Sequence, residues 1–69
     1  MKSFIVICYF RDLSYYGIVE KLMNSLNARE YPYGDNQWLV LYESEEKLQS
    51  YLDENATDAF AFTIVPTNF

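Results

Sequence analysis

Few side chains in this 69-residue chain have the types needed for chemistry, and their spacing restricts them further. There is no histidine, so the usual neutral-pH general base is missing, along with His-Cys metal clusters and Ser-His or Cys-His nucleophile pairs. Cys8 is the only cysteine, which rules out an intrachain disulfide. It lies inside the apolar run Phe4 to Phe10 (FIVICYF) and reads there as a small buried hydrophobe. Asp12 follows that run, next to Arg11. A lone aspartate beside an arginine at a strand exit reads first as a solvated loop residue or a local ion pair. A Mg²⁺ site needs one or two carboxylates in fixed geometry, with substrate phosphates completing the shell. On these grounds Asp12 is a weak catalytic candidate.

The remaining carboxylates gather in the second half. Residues 1–34 carry four basic and three acidic side chains; residues 35–69 carry one basic and seven acidic, within a net charge of −5. A general nucleic-acid binder needs a basic stripe to meet phosphates, and this half would repel them. Glu43, Glu45, Glu46, Asp53, Glu54 and Asp58 suit a solvated helix face, or an acidic docking surface for a basic protein. Glu45 and Glu46 do not make an acid-base pair, because adjacent helical residues do not face each other. There is no Gly-rich phosphate loop, zinc spacing or nucleotide motif.

Which elements hold these residues follows from periodicity. Phe4 to Phe10 has strand composition, with Ile5, Val6 and Ile7 β-branched. Ser14 is a candidate N-cap for a helix whose apolar positions are Tyr15, Ile18, Val19, Leu22, Met23 and Leu26, spaced as one helical face. Asn27 is a plausible stop. Ala28 to Tyr33 reads as a weaker strand, and Pro32 confines it to a sheet edge. Gly34-Asp35-Asn36 makes a short hairpin connection to the strand Gln37 to Glu43 (QWLVLYE). Ser44-Glu45-Glu46 is a helix start, with a capping hydroxyl and two carboxylates at the positive end of the dipole. That helix shows Leu48, Tyr51 and Leu52 as its apolar face and fades near Asn55. Ala59 to Val65 (AFAFTIV) is the last strand, stopped by Pro66, with Thr67 to Phe69 as a tail.

The order β-α-β-β-α-β predicts one ferredoxin-like α+β domain over residues 1–69: a four-stranded antiparallel sheet with two helices on one face. The first and third strands should be central. Composition agrees with a folded chain, 51% hydrophobic and 19% aromatic with two Gly and two Pro. At this size only roughly 60–65% of the unfolded surface is buried, so a partner commonly completes the core. Lys2 precedes an apolar run, but no small-residue cleavage site follows it. Nor does any segment approach the ~18–20 apolar residues of a membrane span. The expected location is the cytoplasm, with no membrane association.

Two helices cover one sheet face, and the other should then alternate apolar with polar residues. These strands do not. Phe4, Val6, Cys8 and Phe10 oppose Ile5, Ile7 and Tyr9; Trp38, Val40 and Tyr42 oppose Leu39 and Leu41; Phe60, Phe62 and Ile64 oppose Ala59, Ala61, Thr63 and Val65. Either set leaves an apolar face, which would approach or exceed the ~300–600 Å² usual for the largest patch on a monomer. A second copy or another protein is the expected cover. Tyr9, Phe10, Trp38, Val40, Tyr42, Phe60 and Phe62 are the residues selected for it. An RNA-binding aromatic sheet is an alternative; residues 37–42 lack the basic-Gly-aromatic opening of that motif, and direct nucleic-acid binding is not expected.

The opening Met-Lys-Ser-Phe-Ile-Val strand, Trp38-Leu39-Val40, the Ser-led helix ending in Tyr51-Leu52 and the strand start Asp58-Ala59-Phe60 resemble the SinR-like proteins. These are relatives of the small dimeric CRISPR-associated nuclease-fold subunit, and the likeness spans roughly residues 3–65. It implies a ferredoxin-like homodimer built through sheet surfaces, and a metal-binding aspartate after the tyrosine that ends the first strand. Here Tyr9 fits, but Phe10 stands where that aspartate would be. The sequence therefore predicts a non-catalytic, acidic protein-binding module, homodimeric and without cofactor. An inhibitor or antitoxin-like factor of phage or mobile-element type, acting on a nucleic-acid-handling protein, would suit it. The rival is a Mg²⁺-dependent nuclease that uses Asp12.

Overall fold

The computed structural model describes residues 1–32 and 34–67. Strand β1 (Lys2–Phe10) is followed by a 3-10 turn (Leu13–Tyr15) and helix α1 (Tyr16–Ser25). Then come β2 (Arg29–Glu30), β3 (Gln37–Tyr42), α2 (Glu45–Asn55) and β4 (Phe60–Pro66). The strands form one sheet in the order β2-β3-β1-β4, with every neighbouring pair antiparallel. This is the predicted α+β arrangement, consistent with a ferredoxin-like βαββαβ fold. β1 and β3 are central, and the strand leading to Pro32 is at an edge, where its missing N–H breaks no ladder. Tyr33, assigned from sequence to the end of that strand, and Asn68 and Phe69 of the tail lie outside the described residues. Among the described residues no helix is long and apolar enough to cross a membrane.

Strand alternation decides what the helices cover. Phe4, Val6 and Cys8 of β1, Trp38 and Val40 of β3, and Phe60 of β4 are buried with Val19 and Met23 of α1 and Leu48 and Leu52 of α2. The helices thus close over the even-numbered residues of all three long strands.

Helix boundaries follow local chemistry. Asp12, in extended conformation, accepts the Ser14 N–H at 2.8 Å and caps the 3-10 turn that leads into α1. The cap is therefore Asp12, not the predicted Ser14, because a carboxylate two residues earlier reaches the free N–H groups of the first turn. At the other end Asn27 has φ 56°. Its N–H donates to Asn24 and the Ala28 N–H to Met23, both at 3.0 Å. This is the reversed-turn closure that an asparagine in the left-handed region permits. Ile18, assigned from its spacing to the apolar face, is largely exposed; the stripe that meets the sheet is Val19 and Met23. α2 starts as predicted, with the Ser44 hydroxyl accepting the Lys47 N–H at 3.2 Å.

The register also assigns every backbone group in β4. Ala59 O accepts from Arg11 N–H, and Thr67 N–H donates to Ser3 O. In an antiparallel ladder hydrogen-bonded pairs alternate. Residues 61, 63 and 65 therefore bond to β1, while the N–H and C=O groups of Phe62 and Ile64 point away from it. Hydrogen exchange followed by NMR should show this alternation: slow amides at Ala61, Thr63 and Val65, and fast ones at Phe62 and Ile64. Uniform protection along β4 would mean that its outer side is already paired.

Candidate protein-interaction surface

Of the seven residues selected from sequence for the surface, six lie on the helix side. Trp38, Val40 and Phe60 are buried in the core, and Phe10, Tyr42 and Phe62 pack against it. The Phe10 and Tyr16 rings meet edge-on at 6.1 Å, and those of Phe60 and Phe62 at 5.8 Å. Only Tyr9 faces the open side. The physical reason is volume: the space between a sheet and two helices must be filled to crystal-like density, and the bulkier set of each strand fills it. With the register of the sheet, Phe4, Phe10, Trp38, Phe60 and Phe62 fall on one face.

The open face consists of the other set. Ile5, Ile7 and Tyr9 of β1 stand beside Leu39 and Leu41 of β3 and Ala61, Thr63 and Val65 of β4. Arg29 of β2 lies opposite Leu39. Leu41 is 59% exposed, Tyr9 55% and Val65 40%. Ile5, Ile7 and Leu39 are half-buried. No strand residue on this face is acidic.

The carboxylates lie elsewhere. Glu45, Glu46, Asp53 and Glu54 are exposed on α2; Glu43 precedes that helix and Asp58 precedes β4. Glu43 and Lys47 form an ion pair at 2.9 Å, the one pair among the described residues. Asp53 accepts from the Gln49 amide at 2.8 Å. The six residues form an acidic flank and no convergent site: among the described residues, no three His, Cys, Asp or Glu side chains come together as a metal-binding group.

Asp12 serves the fold. Its Oδ1 accepts both the N–H and the hydroxyl of Ser14, and these two bonds hold its carboxyl below the usual range. Tyr16 donates its hydroxyl to Glu30 at 2.5 Å, which ties α1 to β2 and raises the phenol to about 12.

Burial pushes the Cys8 thiol up to about 12 from 9.0, because desolvation disfavours the thiolate. Three units leave about a thousandfold less thiolate at neutral pH, so a disulfide reagent should label Cys8 only through unfolding. The folded value lies above the unfolded one, so this group's contribution is fully present below about pH 9 and is lost as pH rises toward about 12. In Cys8→Ala the alkaline fall of a denaturation-derived stability curve should be shallower. Rapid labelling of native protein would contradict the buried placement.

No protein-family profile, no curated protein and no solved structure matches the chain.

Proposed function

We propose that this chain is a non-catalytic, acidic protein-binding module that pairs with a second copy through the open face of its sheet. The observation that carries this is the apolar face of Ile5, Ile7, Tyr9, Leu39, Leu41 and Val65, with Tyr9, Leu41 and Val65 exposed, that neither helix covers. An uncovered apolar face of this kind is characteristic of association surfaces. Charge favours a second copy as its occupant: the carboxylates of a chain with net charge −5 lie off this face, so two copies can meet there without opposing acidic side chains. The resemblance to SinR-like proteins, whose dimers are built through sheet surfaces, agrees with this reading. The acidic flank of Glu43, Glu45, Glu46, Asp53, Glu54 and Asp58 is then left free to engage a basic, nucleic-acid-handling protein, as an inhibitor or antitoxin-like factor.

Light scattering at tens of micromolar tests the pairing: the expected mass is that of a dimer, and a stable monomer overturns it. The non-catalytic part is tested by incubation with Mg²⁺ or Mn²⁺ and RNA or DNA. Cleavage that disappears in Asp12→Ala would replace this reading with a nuclease.

A further inference from the structure

The two edges of the sheet are treated differently. β2 is two residues long, both charged (Arg29 and Glu30), and Pro32 follows within two positions. Short length, charge and proline are the usual ways of blocking unwanted strand pairing. β4 has seven residues, FAFTIVP, with no charge. Its outer side is closed at both ends by the chain itself: the Thr57 N–H occupies the Phe60 carbonyl at 3.1 Å, and Pro66 has no N–H to offer. Between them the N–H and C=O groups of Phe62 and Ile64 face outward, with no partner among the described residues. The result is a window with a defined register.

Charge indicates what can enter it. α2 packs mainly on β4, and its exposed carboxylates are offset by Lys47 alone, which Glu43 already engages. A second β4 at this edge would bring two acidic helices together across the new pair. An extended segment carrying lysine or arginine would instead place its cations beside α2.

We infer that the outer edge of β4 takes a cationic extended segment of another protein as a fifth strand, hydrogen-bonded to Phe62 and Ile64 and flanked by the acidic side of α2. This rests on the reading of the chain as a protein-binding module and specifies how the partner docks. Main-chain bonds at the window provide strand addition, and the charges select the segment.

The test uses a capped peptide of alternating Lys and Val, matched in length to β4, beside a Glu-for-Lys control. Binding is followed by NMR, with amide exchange at Phe62 and Ile64 as the readout. The expected result is saturable binding of the Lys peptide, slowed exchange at those two amides and at least about tenfold weaker binding of the Glu peptide. The short chain is accessible to total synthesis, so an N-methyl group can be placed on Ile64 while its side chain is kept. This should abolish binding and leave the circular dichroism spectrum unchanged. Replacing Glu45, Glu46, Asp53 and Glu54 with their amides should remove the preference for the Lys peptide and most of its salt dependence. The inference is overturned if the Lys peptide does not bind, if both peptides bind alike, or if N-methylation has no effect. It is also overturned if N-methylation converts a dimer to a monomer, because the edge would then belong to a second copy. Failure of the Lys peptide to bind the unmodified protein while the dimer persists would sink this inference alone and leave face pairing intact.

Discussion

Leu52→Ala should lower the unfolding free energy by about 3 kcal/mol, within the range of roughly 2–5 for a buried leucine truncated to alanine. Leu52 has no exposed surface and lies with Leu48 on the buried side of α2, in the same core cluster as Phe60, Val40 and Trp38. Small domains are stable by only about 0.05–0.15 kcal/mol per residue. A chain of this length therefore has a margin comparable to the loss, and the variant should be largely unfolded in mild denaturant. Trp38, 2% exposed, gives a fluorescence signal for urea titration. The midpoint should fall steeply with little change in slope. Leu13→Ala is the control: Leu13 is 79% exposed and should change stability by less than about 0.5 kcal/mol. Equal effects of the two substitutions would contradict the core described here.

Leu41→Glu should act on association and spare the fold. Leu41 is the most exposed large apolar side chain of the sheet among the described residues, at 59%, so an isolated copy loses little by the exchange. In a two-fold pair the same position occurs on both copies, so each dimer would have to desolvate two new carboxylates, with Arg29 beside Leu39 and Leu41 as the nearby cation of this face. Desolvating even a paired charge offsets much of the attraction it gains, and the dimer should weaken by at least about tenfold. Light scattering should give the monomer mass for Leu41→Glu, with a urea midpoint close to that of the parent monomer. If the variant stays dimeric, the open face is not the contact. If it unfolds, Leu41 belongs to the core, contrary to its placement here.

Much of the architecture could be read from the sequence because it depends on local chemistry. Pro32 excludes a central strand. Ser44-Glu45-Glu46 can hardly be anything but a helix start, and Asn27 tolerates the left-handed turn that ends α1. The start of α1 was harder to read, since Asp12 and Ser14 both have capping side chains and only the path of the turn shows which is used. The length of β2 was also not local: Ala28 to Tyr33 was the expected strand, but among the described residues the ladder to β3 holds only Arg29–Glu30, with one further bond from the Tyr31 N–H to Gln37.

The interaction surface divides in the same way. That one apolar face would remain uncovered followed from counting two helices against three strands that are apolar on both sides. Which face it is did not follow, because in a strand such as FIVICYF hydropathy is nearly equal on the two sides and carries no direction. Tertiary packing decided it by volume, drawing the aromatic even-numbered residues under the helices and leaving Ile5, Ile7, Tyr9, Leu39, Leu41 and Val65 outside. The open stretch of β4 likewise belongs to the folded state alone. That Phe62 and Ile64 turn their backbone groups outward depends on strand order and register, which arise from contacts between residues far apart in the chain. The amino-acid order by itself determined the elements, the scarcity of catalytic groups and the acidic second half; the assembled sheet decided which side and which edge remain available to another molecule.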